Sequence, residues 1–269
     1  MKKIKDHIVL SIKKFFEDSN FKKAIIGLSG GLDSAVVFAL AVDALGKENV
    51  LPVLLPSMFS TQHSIDDSIE MTKNLDTSYE IINITNVYDT ILETLSPIFK
   101  NAEFDVTEEN IQARIRGLLL MAIANKQGRL LLNTTNKSEF LVGYGTLYGD
   151  LCGSIAVIGN LYKTQVYELA NFINSGKEII PKNIIIKTPS AELRPNQKDT
   201  DSLPDYYILD PLLKAYCDEK KSYDTLIKEG FDKNLVNKVI SLIERNKFKE
   251  LQTPPKISLN SFIINKIYS

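Results

Sequence analysis

The run Ala24-Ile25-Ile26-Gly27-Leu28-Ser29-Gly30-Gly31-Leu32-Asp33-Ser34 decides how the chain reads. Its first five residues form a short apolar stretch of buried-strand type, which stops at the hexapeptide Ser29–Ser34. From Ala35 to about Leu45 the chain is apolar nearly all round. That predicts a helix packed inside the protein, with Gly46 as a suitable C-terminal stop. Two adjacent glycines permit a tight turn and leave backbone N–H groups open, with no Cβ in the way. The following helix directs its positive end at the same point, so strand, turn and helix together suit a phosphate. The hydroxyls of Ser29 and Ser34 can add hydrogen bonds. Asp33 puts a carboxylate beside the anion, which makes sense with Mg2+ between them. The G-K-[S/T] of a Walker loop is absent. A plain turn with helix-capping serines would share the glycines and serines, but rarely the whole hexapeptide in this setting.

Outward from this run the pattern repeats. Ile4, Ile8, Ile12, Phe15 and Phe16 predict an amphipathic helix over 4–17. Val50–Leu55 reads as a second strand, followed by a helix Ser64–Leu75 with Ser64 as its N-cap. Tyr79–Ile84 reads as a third strand, with a helix near Val87–Phe99 after it. A long helix from about Thr107 to Lys126 leads to the strand Arg129–Thr134. Ile155–Ile158 makes a further strand and Lys163–Asn174 a helix. Such alternation predicts an α/β fold, a mostly parallel, doubly wound sheet flanked by helices, with ligands beyond the carboxyl ends of the strands. Residues 188–211 are polar, proline-punctuated and long for a connection, and are expected to form a flexible lid. No domain boundary is visible, so residues 1–269 are expected to form one domain.

Composition narrows the function classes. With 269 residues, 44% hydrophobic, the chain can bury a substantial core. The formal net charge is -1 and no basic stripe is visible, against a general nucleic-acid binder. Cys152 and Cys217 form no C-x-x-C pair and are expected as free, mostly buried thiols. Only His7 and His63 are present, which excludes a multi-histidine metal site. There is no 18-residue apolar run and no signal-type N-terminus, so a soluble, cytoplasmic protein without membrane contact is expected.

The hexapeptide resembles the S-G-G-x-D-S signature of the PP-loop ATP pyrophosphatases, which split ATP between its α- and β-phosphates and adenylate a substrate oxygen. Further stretches resemble the NAD synthetases within that superfamily. Asn110-Ile111-Gln112-Ala113-Arg114-Ile115-Arg116 looks like their N-x-x-A-R-x-R, and Asn133–Glu139 is similar to their G-T-x-N-K-S-E. Gly143–Asp150 is similar to G-Y-x-T-x-Y-G-D, and Lys163–Ala170 to the K-T-x-V-Y-x-L-A helix. Pro189-Ser190-Ala191-Glu192-Leu193 with Gln197 and Asp199 looks like P-S-A-x-L…Q-x-D. The likeness covers most of residues 22–215.

The resemblance implies an ammonia-dependent NAD synthetase, with ATP as co-substrate, Mg2+, and deamidated NAD and ammonia as the other substrates. It implies that Gly27, Leu28, Ser29, Gly30, Gly31, Leu32 and Ser34, with Thr134, Lys163 and Ser190, hold ATP. Asp33 and Glu139 would share the metal, and Asp33, Glu139 and Lys163 would carry the catalysis. Lys163 opens a helix, where a cation is disfavoured unless phosphate is near. Glu139 also reads as an ordinary helix-start carboxylate. Arg114 and Arg116, two apart on a helix, point to different faces, and Arg114 is chosen for the dinucleotide. Tyr144 is placed at the substrate, with packing an equal alternative. Leu147, Ser154 and Phe248 stand where many relatives carry Lys, Asp and His, and Lys249 could serve the nicotinate end instead. Asn133, Val157 and Thr200 also depart from the pattern. A glutamine-hydrolysing domain would need a further domain's worth of chain, so free ammonia is the expected donor, and a homodimer is implied. The alternatives are another PP-loop enzyme, modifying tRNA or amidating a nucleotide, and a non-catalytic nucleotide-binding module.

Overall fold

A computed structural model describes residues 1–100 and 102–259. The chain opens with helix α1 (Lys2–Asp18) and strand β1 (Lys23–Gly27), followed by α2 (Leu32–Leu45) and β2 (Val50–Leu54). Helix α3 (Gln62–Asn74) leads to β3 (Glu80–Ile81), then α4 (Thr85–Phe99) and α5 (Val106–Gln127). Next come β4 (Arg129–Asn133), α6 (Lys137–Val142), β5 (Ile155–Ala156) and α7 (Lys163–Ile173). Four more α-helices follow, α8 (Lys182–Ile186), α9 (Tyr206–Leu213), α10 (Tyr223–Lys228) and α11 (Lys233–Asn246), with short non-α helical turns beside them.

All strand pairs are parallel, in the order β3-β2-β1-β4-β5. The chain therefore winds outward from β1 to β3, then crosses to β4 on the other side of β1. The carboxyl ends of β1 and β4 flank this reversal, the place where doubly wound sheets leave a crevice. Side chains of the central strands alternate between two apolar layers. Ala24 and Ile26 pack with α1, α2 and α7, whereas Ile25 and Val53 pack with α4 and α5. A third apolar cluster joins α6, α9, α10 and α11. Helix α2 is buried on almost every face, as its sequence predicts, because α1 and α7 cover the side away from the sheet.

Three local readings change, one of them the last strand, which spans Ile155–Ala156 and stops short of Ile158. The cap of α3 is Thr61, whose hydroxyl accepts the Ser64 N–H at 3.3 Å, so the helix starts earlier than the Ser64 reading places it. Strand β3 is only two residues long, not Tyr79–Ile84. Pro52 supplies a reason at the amino-terminal edge. The Val53 carbonyl accepts from Leu28 on the β1 side and the Leu54 carbonyl from Ile82 on the β3 side. Alternation turns Pro52 toward β3 as well, and with no N–H it cannot extend that ladder. Beyond β5, the Ala156 N–H donates to the Pro255 carbonyl at 2.9 Å, and the Ile257 N–H to the Ala156 carbonyl at 3.2 Å. The segment expected as a lid is mixed, since its far part forms α9, with Tyr206, Leu209 and Asp210 buried. Residues 260–269 of the expected single domain lie outside the described residues. No helix among the described residues is long and apolar enough to cross a membrane.

Candidate active site

After β1 the Leu28 N–H still pairs with the Val53 carbonyl at 2.9 Å, and the chain then turns sharply. Gly30 makes that turn at φ +74°, a left-handed conformation that favours glycine. A Cβ there would lie 2.3 Å from the Ser64 carbonyl oxygen, so the turn sits directly on the start of α3. The serines knit the turn to itself. Ser29 Oγ accepts the Gly31 N–H at 3.2 Å, and Ser34 Oγ donates to the Gly31 carbonyl at 3.0 Å. The two hydroxyl oxygens lie 3.1 Å apart. Gly31 caps α2 without any side-chain bond, so the positive end of α2 is left open beside the turn.

Three charged side chains meet at that end. Asp33, in the first turn of α2, pairs through Oδ2 with Lys163 Nζ, and its Oδ1 accepts from Asn136 Nδ2 at 3.2 Å. Glu139 Oε1 lies 3.7 Å from the same Nζ. Glu139 Oε2 accepts the Asn136 N–H at 3.2 Å, while Asn136 Oδ1 accepts the Glu139 N–H at 3.0 Å, a reciprocal capping box at the start of α6. The helix-start reading of Glu139 therefore holds for Oε2, while Oε1 is left to face Lys163. Burial, then the Asp33 charge, pushes the Glu139 carboxyl well above the usual range. Burial works to lower the Lys163 ammonium, but Asp33 and then Glu139 outweigh it and hold it above its ordinary value. Lys163 is only 3% exposed, and burying it at a helix start requires these counter-charges.

A cavity of about 310 Å³ opens above these groups, at the carboxyl ends of β1, β2 and β4. Gly27, Leu28, Ser29, Gly31, Leu32, Asp33 and Ser34 line one side. Thr134, Glu139 and Lys163 line the floor side, with Tyr144 and Ser190 further round. Gly30 lies beneath the surface and is not part of the lining. Tyr144 donates its hydroxyl to Asp199 Oδ1 at 3.1 Å, and Tyr206 donates to Asp199 Oδ2 at 3.0 Å. Burial raises the Asp199 carboxyl, and Lys163 opposes the shift.

At the far end of the cavity the geometry departs from the sequence reading. Arg114 is exposed, its Nε donates to the Leu147 carbonyl at 3.3 Å, and it is absent from the lining. Arg116 faces inward instead and donates to the Leu55 carbonyl at 2.9 Å. Burial pulls its guanidinium down to about 10, against Asp150 and Glu192. Lys249 also lies outside the lining, where Nζ braces the carbonyls of Gly143 and Gly145 at 2.8 and 2.9 Å on either side of Tyr144. Residues 188–198 arch over the cavity and are held by long-range contacts. Glu192 accepts from the Thr61 N–H at 3.0 Å and from Ser64 Oγ at 2.6 Å, and Gln112 Nε2 donates to the Leu193 carbonyl at 2.8 Å. Arg194 pairs with Glu109 at 3.1 Å and with Asp201 at 2.8 Å. Both cysteines are free and mostly buried, as expected, and Cys152 lines the cavity. Among the described residues no group of three or more His, Cys, Asp or Glu is placed to hold a metal ion.

Sequence reasoning missed Asn136, Ser138, Tyr206 and Asp210, and quoted Asp199 without giving it a role. Asn136 carried a readable signal, the N-x-x-E spacing of a capping box. The others are brought in by tertiary packing.

A five-stranded all-parallel sheet whose first turn is Ser29–Ser34, with the cavity at the switch in strand order, is the adenine nucleotide alpha-hydrolase-like, PP-loop fold. The NAD synthase profile matches residues 4–254, and the chain belongs to that family. It is 47% identical over 252 residues to a glutamine-dependent NAD(+) synthetase of Synechocystis sp., covering 94% of this chain and 45% of the relative. Among solved structures, a glutamine-dependent NAD+ synthetase from Acinetobacter baumannii in complex with ADP matches at 40% identity and a TM-score of 0.68. That match covers 95% of this chain and 48% of the other. An NH3-dependent NAD synthetase from Campylobacter jejuni, in complex with nitrate, matches at 30% identity and a TM-score of 0.75, over 92% and 95% of the two chains. The chain thus spans about half the length of the glutamine-dependent relatives it matches.

Proposed function

We propose that this chain amidates deamidated NAD, using ATP and ammonia to give NAD, AMP and pyrophosphate. The observation that carries the reading is the meeting of Asp33, Glu139 and Lys163 at the open end of α2, beside the phosphate turn. The substrate carboxylate oxygen attacks the α-phosphorus of ATP, the bond to the β-phosphate bridging oxygen breaks, and pyrophosphate leaves. Ammonia then attacks the acyl carbon of the adenylate, loses a proton, and AMP departs with the C–O bonding electrons. Neither step needs a nucleophile from the protein. The turn's backbone and α2 receive the phosphates, and Lys163 offers a cation where charge collects on the leaving pyrophosphate. Thr134 and Ser190 face the nucleotide.

The donor set fits magnesium. Asp33 and Glu139 are hard oxygen ligands, and one or two carboxylates with phosphate oxygens and water is the usual magnesium shell. When bound, the ion would neutralise phosphate charge and relieve the crowding of two buried acids. Arg116 and Tyr144 offer the dinucleotide a cation and a ring inside the cavity, whereas Arg114 and Lys249 would reach it only from its margin. The ammonia donor rests on similarity to the NH3-dependent enzyme over nearly the whole of both chains. A homodimer packed through α5 rests on resemblance and on the exposed Leu118 and Met121 of that helix. Cytoplasmic location remains part of the same proposal.

The test is exchange of labelled pyrophosphate into ATP, with deamidated NAD or nicotinate mononucleotide as acceptor. Exchange is expected with the dinucleotide, and no exchange in a folded sample sinks the reading. Product formation with ammonium salts but not with glutamine alone would identify the donor. Efficient use of glutamine would favour the second reading, set by the 47% identical relative, that glutamine supplies the nitrogen.

A further inference from the structure

Asp210 lies outside the cavity lining and touches none of the groups that would meet a substrate, yet it is buried, only 4% exposed. Its Oδ2 accepts the Thr164 N–H at 2.8 Å, at the start of α7. Its Oδ1 accepts from Ser138 Oγ at 2.5 Å, and Ser138 Oγ in turn accepts the Lys163 N–H at 2.9 Å. The first two N–H groups of α7, which have no partner within the helix, are therefore satisfied by one carboxylate and the hydroxyl that it orients. Ser138 is also the residue before Glu139 on α6. A single side chain on α9 thus ties down the two helix starts that deliver Glu139 and Lys163. Every bond to Asp210 is donated to it, so the geometry suits the charged form, although burial raises its carboxyl above the ordinary range. That charge also suits the positive end of α7, where Lys163 by itself would be repelled.

We propose that Asp210, acting through Ser138 and the start of α7, is a positioning residue that sets where the Lys163 ammonium stands relative to Asp33 and Glu139. Resting on the proposed amidation, this predicts a loss in the chemical step rather than in nucleotide capture. Asp210→Asn keeps the size of the side chain but removes the charge and offers an N–H toward groups that already donate. The start of α7 should shift, and misplacement of a catalytic group by a fraction of an ångström to an ångström is costly in rate.

The experiment compares wild type, Asp210→Asn and the milder Ser138→Ala in pyrophosphate exchange. Each is also placed in a Lys163→Met background, and the crystal structure of each single variant is determined. Asp210→Asn is expected to lower kcat about tenfold to a hundredfold with KM for ATP changed less than threefold, and Ser138→Ala to lower kcat by a smaller factor. In the Lys163→Met background neither should lower the residual rate more than about twofold, because groups acting through one another are not additive. Equal factors in both backgrounds, or a loss only in KM, would overturn the assignment. If Asp210→Asn does not fold, Ser138→Ala decides by the same comparison. If wild type itself shows no exchange, the proposed amidation fails, and the crystal structures still decide the positioning. Lys163 Nζ displaced from Asp33 supports it, and Nζ unmoved in both variants overturns it.

Discussion

The two ends of the cavity are built differently. At the phosphate end, the Ser29–Ser34 turn and the capping box Asn136–Glu139 are short-range devices, each made by residues within a few positions of one another, and Asp33 joins them to Lys163. At the far end, Glu192 reaches α3, Gln112 holds Leu193, and Lys249 braces Gly143 and Gly145, all across long stretches of chain. The contrast teaches where rigidity resides. Groups fixed by local backbone chemistry are already in place, whereas the arch over residues 188–198 is tied by contacts that individually contribute little.

The comparison can be broken first at the phosphate end. Lys163→Ala should lower the exchange rate by about 10²–10³-fold, the usual loss for one preorganised donor to developing charge. A loss below tenfold would remove Lys163 from the centre. Gly30→Ala should lower stability by at least about 1–3 kcal/mol from left-handed strain, before the approach to the Ser64 carbonyl is counted. A melting temperature within a degree of wild type would mean that the turn has room it does not show.

Effects at the far end should be smaller. Arg116→Ala removes a charged donor inside the cavity, worth about 1.5–3 kcal/mol, and should raise KM for one substrate at least tenfold. Arg114→Ala should do less, and the reverse order would place the dinucleotide at the margin of this cavity. Glu192→Gln should loosen the arch by about 1 kcal/mol and speed proteolysis within 188–198 a few-fold, read by limited digestion. Smallest is a chemical effect at Cys152. Burial first, and Asp150 second, push its thiol up to about 11, so its reactive thiolate is scarce at pH 8 and grows as pH rises toward that value. Alkylation at pH 8 should run about a hundredfold slower than for an ordinary thiol, and fast labelling would contradict the burial.

The same contrast decides how much could be read from the sequence. The parallel sheet and the buried helix after the turn followed from apolar period and the glycine pair, because each depends on near neighbours. The grouping of Asp33, Glu139 and Lys163 was implied by family resemblance alone, since Asp33 and Lys163 are 130 residues apart. Thr61 escaped as a cap because Ser64 offers the same chemistry three residues on. Strand β3 looked longer at its start than it is because the limit there lies in Pro52 on a different strand. Arg116 could not be told from Arg114, since spacing says that they face apart and not which of them faces in. Asp210 and Tyr206 carry no local signature at all. Their partners are 72 and 7 residues away, and only packing brings them together.

The contact between Gly30 and the Ser64 carbonyl means that the phosphate turn is no detachable cassette. Transplanted onto another sheet with its own strand and helix, the hexapeptide would lack the wall that dictates its shape. Drift in the first turn of α3 would likewise have to be matched at Gly30, so the two stretches are bound to change together or not at all.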